Sequence, residues 1–333
     1  MNATTKQLLD QIVEDKKLLQ SKMMWELDSP AMATLSAFLF ASAGRKADIE
    51  RYAECKKYLK KNIGVFSELR GISSVIVITK MCLSENYEEY LTGVNTVYRK
   101  LRAIHKLTAS PYMVLAAINI YEAGGVIKAD ENIEKFETVY KELKSKHFWL
   151  TSDEDRPFVA LMTSRDININ ALADEVSRCY DASKKMSFSK EAMHTVSQIM
   201  SLSPKSVDAK VEDLKATMDA FKKYNVKGLK YQLMPVAAAL GLVIEDSDIK
   251  ATKIRENYDY LKGQKGFKWY LSNTKRSLYS SLAYAIENLT GSETVLNSVI
   301  STALTNIIIE EIIIFIMINT TTQLASSNSS GGN

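Results

Sequence analysis

The sequence predicts an all-α fold, an α-solenoid-like array of about five or six antiparallel helical hairpins, and three observations predict it. A hexapeptide returns: Thr96-Val97-Tyr98-Arg99-Lys100-Leu101 comes back as Thr138-Val139-Tyr140-Lys141-Glu142-Leu143, with weaker echoes at Arg178-Cys179-Tyr180, Ala220-Phe221 and Asn257-Tyr258. Segments that are apolar nearly all round alternate with segments that carry one apolar stripe. The 333 residues include only 5 Pro and 13 Gly, which suits long helices joined by short turns. Self-similarity near 40 residues marks helix pairs too small to bury their own apolar faces, so that each packs on its neighbours. The alternative is a closed multi-helix bundle, since five or six pairs can also curl shut.

In chain order, the region from Pro30 to Leu59 opens the array less regularly. Ser73 to Leu83, Ser110 to Ala123, Arg156 to Ser164, Glu191 to Leu202 and Tyr231 to Val243 lack a polar face and read as buried helices. Ala116, Ala117 and Ala237 to Ala239 allow close approach there. Between the buried helices lie striped ones. Tyr87, Tyr90, Leu91, Val94, Val97, Tyr98 and Leu101 keep one helical face, with Glu88, Glu89, Asn95, Arg99 and Lys100 turned to water. Ile133, Phe136, Val139, Tyr140 and Leu143 repeat that face, separated by Glu134, Lys135, Glu137, Lys141 and Glu142. Tyr98, Tyr140, Tyr180, Phe221 and Tyr258 are therefore expected at equivalent inward positions. Pro111 and Pro157 fit first helical turns, and Gly124-Gly125, Gly228 and Gly263 fit left-handed caps after helices. Pro235 fits either an early turn or a kink.

Arg276 to Leu289 closes the regular pattern. The isoleucine-rich stretch 295–318 is interrupted by Glu310 and Glu311, so its uncharged runs fall short of a membrane span. It reads as a closing helix over the last hairpin's open face, with attachment to a membrane surface as the alternative. Residues 1–325 form one helical-repeat domain in this reading, and the Ser/Gly/Asn-rich stretch 326–333 a disordered tail.

Charge and motifs narrow the function. The 43 basic and 39 acidic residues nearly balance at +4, so a nucleic-acid partner is not expected. Cys55, Cys82 and Cys179 stand far apart in sequence and form no C-x-x-C or Cys/His pattern. With a polar N-terminus unlike a secretory signal, they point to a reducing, cytoplasmic setting. His105, His147 and His194 fall in no H-x-x-x-H or H-E-x-x-H arrangement, and no P-loop, G-x-S-x-G or G-x-G-x-x-G is present. No metal and no cofactor is therefore expected. His194, between Met193 and Thr195, reads as a hydrogen-bonded core histidine.

Two candidate sites remain. In Thr151-Ser-Asp-Glu-Asp-Arg-Pro157, the carboxylates of Asp153, Glu154 and Asp155 have the chemistry to hold a cation or a basic partner. The competing reading is a capping box of Thr151 with Glu154, which leaves Asp155 spare. The second candidate is basic: Lys222, Lys223, Lys227 and Lys230 interleave with Tyr224 and Tyr231. A second cluster runs from Gly263 to Trp269 with Lys275 and Arg276. On one edge of the array the two would add to a single basic strip; apart, they are solvated loop residues.

Phe66-Ser-Glu-Leu-Arg70, the Val-Tyr-x-x-Leu helices at 97–101 and 139–143, Ser110-Pro-Tyr-Met-Val-Leu-Ala-Ala117 and Leu150-Thr-Ser-Asp-Glu-Asp-Arg-Pro157 resemble a bacterial family. It is the one catalogued as domain-of-unknown-function family four thousand and three. Met162-Thr163-Ser164 departs from it, being polar where that family continues with aliphatic residues. The resemblance implies a bacterial cytoplasmic helical protein and no particular chemistry. The leading reading is a non-enzymatic binding or scaffold module with a protein partner. An enzyme using the carboxylates near Asp155, and a peripheral membrane protein attached through 295–318, are the alternatives.

Overall fold

The alternation of striped and all-apolar segments becomes two layers of helices. The computed structural model describes residues 1–23, 29–105, 110–163, 169–268, 271–289, 300 and 302–309. The striped helices are α1 (Ala3–Lys22), α3 (Ile49–Asn62), α5 (Tyr87–Ile104), α7 (Ala129–Lys146), α9 (Ile169–Ser183), α11 (Val207–Lys223) and α13 (Ser247–Gly263). The apolar ones are α2 (Ser29–Ser42), α4 (Ser74–Leu83), α6 (Pro111–Glu122), α8 (Arg156–Thr163), α10 (Lys190–Ser201), α12 (Lys230–Gly241) and α14 (Asn273–Leu289). A last helix, α15, spans 302–309. No strand occurs among the described residues.

Even-numbered helices pack on even-numbered neighbours, odd on odd, and the array closes on itself. The closed alternative is therefore the one adopted. The pairing is striped helix then buried helix: each odd-numbered helix packs on the even-numbered one that follows it, which makes seven hairpins from α1–α2 to α13–α14. The last closes on the first through α14, which packs on both α1 and α2. Phe38 stacks on Tyr279 with ring centroids 4.8 Å apart, and Tyr279 Oη donates to the Ala31 carbonyl at 3.3 Å. In the outer layer Tyr260 Oη donates to Asp10, and the Met1 amino group meets Glu256 at 2.6 Å. Among the described residues, the odd-to-even connections gather at one end of this ring, hereafter the loop end, and the even-to-odd connections at the other.

The inner helices stay buried without unmet hydroxyls because those groups turn back on their own turns. Thr34, Thr79, Thr163, Ser280 and Ser281 each donate to a carbonyl four residues earlier. Within the outer layer, Lys100 meets Asp130 at 2.5 Å, and Lys146 with Asp174 and Lys223 with Asp248 repeat the pairing. Each links the C-terminal half of one outer helix to the N-terminal half of the next. Tyr98, Tyr140, Tyr180, Phe221 and Tyr258 are all buried, as their recurrence predicts.

Several details differ from expectation. Glu137 is buried, not solvated, because the packing of the preceding unit brings His105 Nε2 to 2.5 Å from its carboxylate. Gly228 precedes α12 and does not follow α11 as a cap; the left-handed residue after α11 is Asn225, at φ 55°. Gly263 ends α13, and the left-handed position falls at Gly266, φ 89°. Pro235 lies inside α12. The carbonyl it cannot satisfy belongs to Tyr231, which is exposed, so water can take the bond. Finally, α15 does not cover the last hairpin. It is buried from Ala303 to Ile309, with Thr302, Thr305, Asn306 and Ile309 facing Leu39 of α2, Ile76 of α4 and Leu115 of α6. A helix buried on every face against inner helices lies inside the ring. The rest of 295–318, and the stretch 326–333, lie outside the described residues, and no described helix is long and apolar enough to cross a membrane.

Candidate functional site

The loop between α7 and α8 and the start of α10 meet at the loop end, and this places Asp155 at the centre of a buried polar knot. Ser152 is the N-cap of a one-turn 3-10 helix, 153–155. Its hydroxyl accepts from the Glu154 N–H at 3.3 Å, and its own N–H donates to Asp155 Oδ2 at 2.7 Å. The capping box is therefore Ser152 with Asp155, one residue later than Thr151 with Glu154, and Asp155 is not spare. Both registers satisfy the motif; burial of Asp155 decides between them. Its other oxygen, Oδ1, accepts from His194 Nδ1 at 2.9 Å and from Gln198 Nε2 at 2.5 Å. His194 is a hydrogen-bonded core histidine, as the sequence suggested.

A carboxylate that takes Nδ1–H leaves the imidazole lone pair on Nε2, the tautomer that a general base needs. His194 Nε2 and Gln198 Oε1 are buried without a protein partner. His194 is only 1% exposed, however, and no hydroxyl or thiol among the described residues bonds its free nitrogen. Beside it stands His147, ring centroids 5.4 Å apart. Burial, then the neighbouring His194, holds the His147 imidazole below its usual range. Ser177 Oγ gives its hydrogen to the Ala173 carbonyl at 2.8 Å, so His147 Nε2, 2.9 Å away, must be the donor to Ser177.

The other carboxylates are spoken for differently. Asp153 accepts from Arg156 Nε at 2.9 Å. Glu154 is exposed, with Tyr112 Oη at 3.5 Å. Among the described residues no group of His, Cys, Asp and Glu is arranged to hold a metal ion.

The two basic clusters come together. The Leu229 N–H donates to Thr274 Oγ1 at 3.1 Å, and Ser277 Oγ donates to the Lys227 carbonyl at 2.5 Å. The α11–α12 and α13–α14 connections thus share one edge of the loop end. Not every member is available. Lys223 pairs with Asp248. Arg276 is buried, donating to Tyr258 Oη at 2.9 Å and to the carbonyls of Phe267 and Leu271 at 3.0 and 2.9 Å. Lys230 is exposed and Lys227 half-buried. Trp269 lies outside the described residues.

Two features escaped sequence reading. His105 and His147 share the 42-residue offset of the repeated hexapeptide. Each follows an outer helix and stands edge-on to the next unit's recurring Tyr, Tyr140 at 6.1 Å and Tyr180 at 5.3 Å. That offset was visible in the sequence. The free, buried thiols of Cys55 and Cys82, distant in sequence, influence one another's ionisation across α3 and α4.

A family model described as protein of unknown function (DUF4003) matches residues 16–314. The chain is similar to the uncharacterized protein YeaA of Bacillus subtilis (strain 168), 25% identical over 256 residues, which is 75% of this chain and 76% of that one. No solved structure matches.

Proposed function

The chain belongs to the bacterial family described as protein of unknown function (DUF4003), and we propose that it is a non-enzymatic binding or scaffold module, folded as one domain, that works through its loop end. One observation carries this reading. Three connections at the loop end, α3–α4, α7–α8 and α9–α10, hold out large apolar side chains: Phe66 (98% exposed), Phe148, Trp149 (91%) and Phe188. Aromatic rings left in water at loop tips do nothing for the core and are the usual anchors of a bound partner. The opposite end exposes Ile127 and Ile244 but no aromatic among the described residues. Closure of the ring removes the concave groove of an open array, and α15 occupies part of the interior, so an end surface is the face left for recognition. Three buried free thiols support a bacterial cytoplasmic setting.

The test is a photo-crosslinking residue placed at position 149 or, as control, at 127, in native lysate. Adducts at 149 and none at 127 are expected. Adducts at 127 alone would overturn the reading. A second reading, a general base at His194 oriented by Asp155, is favoured by the free Nε2; turnover of an extract component that His194→Gln abolishes would establish it instead.

A further inference from the structure

We propose that one sector of the loop end, built from the α9–α10, α11–α12 and α13–α14 connections, docks on an anionic lipid surface. This rests on the binding-module reading and names its partner. Three observations converge on it. No acidic residue occurs from 220 to 244 or from 260 to 286, while Lys222, Lys227, Lys230, Lys262, Lys265 and Lys268 fall within those stretches. All six are exposed or half-buried at the loop end, and none has an ion-pair partner among the described residues. The hydrogen bonds from Leu229 to Thr274 and from Ser277 to Lys227 hold the two stretches side by side.

The third connection adds the apolar element. Phe188 is fully exposed, flanked by Lys185 and Lys190, and Leu229 and Tyr231 are exposed on the adjoining loop. Between these loops lies a groove of about 560 Å³, floored by Met186, Met218, Phe221 and Leu233 and walled by Lys215, Lys222 and Lys230 against a single carboxylate, Asp219. An apolar floor under an excess of ammonium groups matches an anionic headgroup with the first methylenes of its chain. Lysines beside an exposed ring suit the boundary of a bilayer, where the ring enters the headgroup layer and the ammonium groups stay on phosphates. A nucleic acid would need exposed aromatic platforms for successive bases, and here a single fully exposed ring, Phe188, stands over a groove whose one lining ring, Phe221, is buried. The cytoplasmic face of a bacterial membrane carries such anionic lipid, and each lysine near it strengthens attachment about five-fold.

The experiment is vesicle flotation with the full chain, using phosphatidylcholine alone or equal parts of phosphatidylcholine and phosphatidylglycerol. Binding is expected only to the anionic vesicles and should weaken as salt rises. Lys222→Gln combined with Lys230→Gln should lower partitioning about twenty-fold, and Phe188→Ser several-fold, with thermal midpoints unchanged since all three side chains are exposed. The proposal is overturned by equal binding to neutral vesicles, or by undiminished binding of the double variant, which would place the contact elsewhere. It is also overturned by no binding to anionic vesicles, including the case where an RNA oligonucleotide binds instead. Crosslinks at position 149 from a protein blind to vesicles would remove the lipid and leave the module reading standing; silence in both assays would remove both.

Discussion

Tyr279 reaches across the closure of the ring to Ala31, 248 residues earlier, with its hydroxyl 3.3 Å from the carbonyl, while its ring stacks on Phe38 at 4.8 Å. The two belong to α14 and α2, so this contact decides whether the array is a ring or an open arc. Phe38→Ala should cost on the order of 3–5 kcal/mol, the range for a large aromatic removed from a core. Tyr279→Phe, which keeps the stack, should cost about 1 kcal/mol. Urea unfolding separates the two, and equal midpoints for Phe38→Ala and the parent would contradict closure through this pair.

The recurring aromatic supplies a contrast within one position. Tyr140 Oη donates to the Ser152 carbonyl at 3.1 Å, whereas Tyr98 Oη is buried without a protein partner. Tyr140→Phe should therefore lose about 1 kcal/mol, and Tyr98→Phe should be neutral or stabilising, because it removes a buried hydroxyl that has no partner. Tyr140→Ala should cost on the order of 3–5 kcal/mol. The ordering of the two Phe variants is the measurement that matters; Tyr98→Phe falling well below Tyr140→Phe would refute the assignment.

Asp155 holds three donors at once, from Ser152, His194 and Gln198. Asp155→Ala leaves the two buried donors, His194 and Gln198, without this acceptor, at about 1–3 kcal/mol each, so a loss of roughly 2 kcal/mol or more is expected. Glu154→Ala, one residue away on the exposed side, should change stability by less than about 1 kcal/mol. Chemical denaturation of both variants tests which acid belongs to the capping box. A larger loss for Glu154→Ala would restore the register starting at Thr151.

What the sequence disclosed follows from how local each signal is. The two helix types were readable because a stripe at Tyr90, Leu91, Val94 and Val97 and its absence at Val75 to Ile78 are properties of single segments. The Phe38–Tyr279 contact has no local signature, so the choice between arc and ring stayed open. Glu137 misled for a similar reason: its position on α7 reads as solvent-facing until His105 of the preceding unit is laid against it. At the candidate site, the motif at 151–157 was visible but its register was not, since Thr151-x-x-Glu154 and Ser152-x-x-Asp155 both satisfy the same pattern. Only α10, about 40 residues downstream, distinguishes them by supplying His194 and Gln198 as donors.

His147 gives the fold a pH dependence whose sign can be worked out. Its imidazole is held below the usual value of about 6.5, first by burial and then by His194; the nearby carboxylates of Asp181 and Asp155 oppose this without reversing it, and Lys146 adds to it. In the unfolded chain the group binds a proton near pH 6.5. Between that value and the lower one in the fold, the unfolded state holds more protons, so stability is full above about pH 6.5 and falls as pH drops through the window below it. His147→Gln retains an amide able to donate to Ser177 and removes the titration. The parent's denaturation midpoint should therefore fall more steeply between about pH 7 and about pH 5.5 than that of the variant. Parallel curves would mean that His147 is protonated as readily inside the fold as outside it, and that its packing against His194 is not as described.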